Sequence, residues 1–161
     1  VSIILVGGVD PGIVHTGVVT LAMDQDRRTF STYNEPVVGA DPDNVLEALE
    51  NSGYGVPDHT FIEKYNPRSA FKQDKEMIVA VSELNKRLPN SKVINNMGSK
   101  QVIRKPLLDQ LNLWVFPATH HQDLQAAARI MIYGMLKNPE LNLLLANFVR
   151  DLYDGTPWTM R

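Results

Sequence analysis

Three carboxylates and one imidazole have the types and settings that metal-assisted chemistry needs: Asp10, Glu63, Asp123 and His120. Asp10 ends an apolar, mostly β-branched run (Ile3, Ile4, Leu5, Val6, Val9) that reads as a buried central strand. Glu63 lies near the end of a second run, His59 to Tyr65. A buried charge without a partner is costly, so an acid in such a place must meet backbone N–H groups, a basic side chain or a metal ion. Asp10-Pro11-Gly12 on its own is also a turn signature, with Asp10 capping and Pro11-Gly12 bending the chain. Asp123 is more informative. Thr119 with Gln122 matches a capping box, which makes Thr119 the N-cap of a helix, and an acid in the first turns is favoured by the helix dipole. Yet Ala127, Ile130, Met131 and Gly134 follow Asp123 at helical spacing and form the face that packs on a sheet. His120 stands three residues before it on the same face. Carboxylates with an imidazole and no thiolate suit Mg²⁺ or Mn²⁺. Two such ions about 4 Å apart can clamp the attacking water and the leaving oxygen in phosphodiester hydrolysis. Clustered carboxylates repel one another without cations, a physical reason for metal dependence.

The elements that must position these groups follow from pattern. Residues 13–21 and Thr29 to Val38 read as second and third strands of an antiparallel meander, joined by the polar turn Asp24 to Arg28. A short helix covers Asp43 to Glu50, and His59 to Tyr65 is a strand. A long helix follows Asn66-Pro67, with Ala70, Phe71, Met77, Ile78, Val81, Leu84 and Leu88 as its stripe and Pro89 as its stop. Lys92 to Asn95 reads as a strand. Ser99 caps a helix over about 100–110 that Pro106 kinks, and Leu113 to Phe116 is a further strand. The Asp123 helix runs to about Lys137. Pro139 opens a last helix with the stripe Leu141, Leu144, Leu145, Phe148 and Leu152. The expected fold is α/β: a mixed sheet of three antiparallel strands then parallel strands, flanked by helices. Residues 1–153 form one domain, and 154–161 a loose tail.

Composition bounds the rest. The chain has 161 residues, enough for one domain with a real core. No apolar run approaches the roughly 18 residues of a membrane span. The apolar N-terminus lacks a basic n-region and is interrupted by Asp10, so it does not read as a signal peptide. The sequence has no Cys, which excludes disulfides and fits a cytoplasmic setting. The net charge of −2 hides an asymmetry: residues 1–60 carry nine acids and two bases, whereas residues 61–110 carry five acids and ten bases. The middle third can therefore present a basic, phosphate-contacting face around Glu63, including Lys64, Arg68, Lys72, Lys100, Arg104 and Lys105. For any single lysine taken alone, a solvated helix surface is the favoured reading.

Four segments, in order, resemble the RuvC family of Holliday junction resolvases in the RNase H-like superfamily. They are V-D-P-G-I-V-H-T-G (Val9 to Gly17), F-I-E-K-Y (Phe61 to Tyr65), G-S-K-Q-V (Gly98 to Val102) and H-H-Q-D-L-Q-A-A-A (His120 to Ala128). The resemblance implies an RNase H-like nuclease domain, a homodimer, and symmetric paired nicking of a four-way DNA junction with Mg²⁺. It matches Asp10, Glu63 and Asp123 to the family's metal-binding acids and His120 to the remaining active-site position. Asp10 would bridge two ions, Glu63 and Asp123 would complete their coordination, and His120 would position water or ligate one ion. Lys64 and Lys100 would contact phosphates. Tyr65 falls near an aromatic that stacks at the junction centre, or else is a strand-end core residue. His15, His59 and His121 read as ordinary strand, capping or solvent residues. Asp123-Leu124 stands where the family carries Asp-Ala, and the chain is acidic overall. These departures fit a divergent, phage-type member that also cuts other branched DNA. Two alternatives stay open: a non-catalytic junction-binding module, and an ATP-using phosphotransferase of the actin or sugar-kinase class, whose nucleotide site normally needs two such lobes.

Overall fold

The apolar run that ends on Asp10 lies at the middle of the sheet. A computed structural model describes residues 3–67, 72–116 and 120–161, with the side chain of Lys72 also outside the described part. The strands β1 (Ile3–Asp10), β2 (His15–Asp24) and β3 (Thr29–Val38) form the expected antiparallel meander. After α1 (Pro42–Glu50), β4 (His59–Glu63) pairs parallel to β1. After α2 (Lys72–Arg87), β5 (Ser91–Ile94) pairs parallel to β4. Two short helices follow, α3 (Ser99–Val102) and α4 (Lys105–Gln110), then α5 (His121–Lys137) and α6 (Asn142–Tyr153). A short strand, β6 (Thr159–Met160), joins β3 in parallel. The sheet order is β5-β4-β1-β2-β3-β6, an RNase H-like mixed sheet with helices on both faces.

Alternation along the strands feeds two cores. Val6, Val19, Leu21, Met23 and Phe61 face α5 and α6, whereas Val9, Val18 and Ile62 face α1 and α2. Burial on both faces explains why β1 is nearly continuous in apolar residues. The approach of α5 is unusually close. A Cβ on Gly8 would overlap the Ala127 carbonyl oxygen and come within 2.6 Å of the Met131 Cβ. One on Gly17 would overlap the Asp123 carbonyl oxygen and lie 3.1 Å from the Leu124 nitrogen. The helix returns the compliment at Gly134, where a Cβ would run into the Phe61 ring. These three missing side chains let a helix lie directly on β1, β2 and β4.

Several sequence expectations need correction. Leu113 to Phe116 is not a strand; Leu113 and Phe116 are buried as irregular chain beneath α5. The segment 100–110 is two helices, because Pro106 sits in the first turn of α4, where its missing N–H costs nothing, rather than inside one helix. Gly98, with φ +82°, takes the cap position expected for Ser99. The last helix starts at Asn142, not Pro139. Ile78 of the α2 stripe is 48 % exposed. Ala70, Phe71 and the expected cap Thr119 lie outside the described residues, and His120 occupies the cap position of α5.

The tail is not loose. Trp158 is buried, its ring is edge-on to Phe148 at 5.4 Å, and its indole N–H donates to Asp151 at 3.0 Å. Phe148 in turn meets Phe30 edge-on at 5.9 Å. Such aromatic pairs add about 0.5–1.5 kcal/mol each beyond the area they bury.

Gly8→Ala should destabilise the protein by about 1–3 kcal/mol, since the clash is with helix backbone that cannot rotate away. Denaturant unfolding measures it, and an unchanged midpoint would contradict the close approach.

Candidate active site

Each acid is delivered by a different element. β1 and β4 run parallel, with Val9 beside Ile62, so the next residues, Asp10 and Glu63, emerge side by side at the same sheet edge. On the other side Asp10 pairs with Gly17 of β2. Gly17 is the position on which the backbone of Asp123 rests. The glycine therefore brings the first turn of α5 down beside Asp10. Asp123 stands third in that helix and is half-buried, as are Asp10 and Glu63.

The acids feel one another. Asp10 is pushed from its ordinary 3.8 up to about 9, first by burial, then by its hydrogen bond with Glu63 and by the negative charges of Glu63 and Asp123. Glu63 Oε1 also accepts from Asn96 Nδ2 at 2.8 Å. Asn96 follows β5, and the neighbouring backbone is pinned there by the Lys64 N–H donating to the Ile94 carbonyl at 2.8 Å. An open cleft of about 420 Å³ lies against Glu63, between the Pro11–Val14 loop and the Lys64–Asn66 segment.

His120 enters through a residue that sequence reasoning passed over. The ring of His15, the first residue of β2, lies on the His120 ring with centroids 3.9 Å apart and planes 37° apart. By sequence alone His15 is an ordinary strand residue. The one signal available was its place five residues after Asp10, in the same hairpin. His121 is exposed on α5, and His59 is buried at the start of β4, at the end opposite Glu63, beside Glu140 at 3.5 Å.

The basic residues divide. Lys64 and Lys100 are exposed, on the cleft rim and on α3. Arg104 is exposed and donates to the Gln101 carbonyl at 3.1 Å, and Lys105 pairs with Asp109 at 2.7 Å within α4. Arg68 lies outside the described residues, as does the side chain of Lys72. Tyr65 is half-buried against the α1–α2 core and its hydroxyl donates to the buried Asp74.

The donor set fits a hard divalent cation in its chemistry: three carboxylate groups, one imidazole, no sulfur, and an Asp10 proton standing where positive charge is wanted. Among the described residues no three acidic or imidazole side chains converge on a single point, so holding a cation would require side-chain rotation about Asp10. Among those residues, too, no helix is long and apolar enough to cross a membrane.

The raised Asp10 value has a stability consequence. A carboxyl whose folded-state pKa lies above its unfolded value stabilises the fold below the unfolded value, and that contribution is lost as pH rises towards the folded value. In EDTA, wild-type stability should therefore fall between pH 4 and 9 relative to Asp10→Asn, which keeps a neutral group throughout. Melting curves of the two proteins across that range check this, and parallel curves would contradict the clustering of the acids.

No protein-family model matches the chain, and no curated protein sequence matches it significantly. Solved structures do match. Thermus thermophilus RuvC aligns with a TM-score of 0.55 at 19 % identity, over 96 % of this chain and 99 % of that one. The same protein in complex with a Holliday junction substrate gives 0.56 at 18 % identity, over 96 % and 98 %. Fowlpox virus resolvase in complex with its substrate Holliday junction DNA gives 0.51 at 17 % identity, over 83 % and 98 %. At such identities it is the fold that is shared. With Asp10, Glu63 and Asp123 brought to one end of the central strands, the chain has the fold of these RuvC and resolvase structures.

Proposed function

We propose that this protein is a metal-dependent endodeoxyribonuclease that resolves four-way DNA junctions by paired symmetric nicks, and that it acts as a homodimer in the cytoplasm of a bacterium or a phage-infected cell. The observation that carries the reading is that β1, β4 and the first turn of α5 bring Asp10, Glu63 and Asp123 to one end of the central strands, at the cost of the repulsion at Asp10. Two resolvases of the same fold have been captured with Holliday junction DNA.

In this reading Asp10, Glu63, Asp123 and His120 hold Mg²⁺ or Mn²⁺, about two ions per site by the two-metal scheme. The cations supply Lewis-acid polarisation of the phosphodiester and neutralise charge in the transition state. Asp10 would lose its proton where a cation is held, and its carboxylate would be one of the groups holding it. Asn96 holds Glu63 in place through its 2.8 Å bond. His120, its ring fixed by His15, orients the water that attacks phosphorus in line with the leaving 3′ oxygen. The P–O bond to the leaving oxygen breaks and that oxygen takes up a proton. Lys64 and Lys100 contact the flanking phosphates, with Arg68, Lys72, Arg104 and Lys105 extending the track.

A pure binding module has no physical reason to gather repelling acids beside a phosphate path.

Asp10→Asn and Asp123→Asn should abolish cutting of a labelled four-way junction in Mg²⁺. Binding should survive or tighten, because less negative charge faces the DNA. EDTA should abolish cutting by the wild type. Wild-type nicking rates in Asp10→Asn, or equal cutting of linear duplex and junction, would overturn the reading.

A further inference from the structure

The loop between β1 and β2 presents two β-branched side chains to solvent beside Asp10. Ile13 is 45 % exposed and Val14 67 %. Ile13 and Val14 line the same cleft, and the Gly39 N–H donates to the Val14 carbonyl at 2.7 Å, so the two form one ledge. Single exposed apolar residues are ordinary, whereas a contiguous row marks a contact surface.

The ledge is held firmly. The hydroxyl of the fully buried Thr16 donates to the Gly39 carbonyl at 2.6 Å and accepts from the Gly12 N–H at 3.2 Å. Neither Ile13 nor Val14 belongs to either core, so their apolar character does not serve the fold. Both line the cleft that also holds Glu63 and Lys64. In the nuclease reading, a strand whose phosphate reaches Glu63 enters this cleft and meets the loop that walls it. The aromatic that resemblance offers for base stacking, Tyr65, is instead packed on the α1–α2 core with its hydroxyl bonded to Asp74.

We propose that Ile13 and Val14 form an apolar wedge that enters the base stack at the branch point of the DNA. This rests on the nuclease reading above and adds the source of its selectivity for branched over linear DNA. Apolar side chains inserted between base steps pay for partial unstacking with contact area. That cost is lowest where stacking is already interrupted, as at a branch. A wedge of this kind reads DNA structure rather than sequence.

The test uses a four-way junction carrying 2-aminopurine beside the branch, bound in EDTA so that nothing is cut. Wild-type protein should raise the fluorescence severalfold as the base unstacks. Ile13→Ser/Val14→Ser should bind within a few-fold of wild type, lose most of that rise, and cut the junction in Mg²⁺ about tenfold or more slowly, the loss expected for one stacked contact. Ile13→Val/Val14→Ile, which keeps the ledge apolar, should restore both signals. Melting curves exclude misfolding as the cause. An unchanged fluorescence rise in the Ser variant, or none with wild type on a bound junction, overturns the wedge while leaving the nuclease reading intact. Failure of wild type to bind the junction overturns both. A wild-type dimer that the Ser variant converts to monomer in sedimentation assigns the ledge to a second copy of the chain and also overturns the wedge.

Discussion

The arrangement depends on how closely α5 approaches the sheet. An ordinary side chain at Gly8 or Gly17 would hold the helix off the strands, and one at Gly134 would displace the Phe61 ring beneath it. Removing these side chains weakens strand and helix propensity. The return is positional, because Gly17 is at once the β2 partner of Asp10 and the seat of the Asp123 backbone. One glycine thus sets the separation between an acid on a central strand and an acid on a helix. The third acid needs no such device, since parallel pairing of β4 with β1 carries Glu63 to the same edge.

What gathers the acids also strains them electrostatically. Burial and two neighbouring carboxylates keep Asp10 protonated near neutrality when no cation is present. A protein selected for stability alone would replace Asp10 or Glu63 with a neutral group. Their retention side by side, with Asn96 bonded to Glu63 and His15 stacked on His120, makes sense if positive charge is supplied from outside. The rim follows a different logic. Lys64 lines one side of the cleft and the apolar Ile13 and Val14 line the other.

The strands that carry Asp10 and Glu63 were legible in the sequence because β1 and β4 are apolar runs broken by an acid and followed by Pro, Gly or Asn. The buried face of α5 was legible from its spacing, and Ala127, Ile130 and Met131 are indeed buried. What could not be read were long-range events. His15 looked ordinary because its partner is over a hundred residues away. The tail looked loose because nothing local shows that Trp158 would find Phe148 and Asp151. Leu113 to Phe116 has the composition of a strand, yet Leu113 and Phe116 are buried in the core as irregular chain, so packing overrode propensity. The break between α3 and α4 lay in Pro106, which starts a helix as readily as it kinks one.

The most direct test of a shared cation site is an Mn²⁺ titration of the DNA-free protein, followed by electron paramagnetic resonance of the unbound ion. If Asp10, Glu63 and Asp123 act as one site, wild type should take up about two ions per chain, releasing protons as Asp10 ionises. Asp10→Asn should lose most of that uptake. Equal Mn²⁺ uptake by wild type and Asp10→Asn, with no proton release, would contradict the site and the chemistry assigned to it.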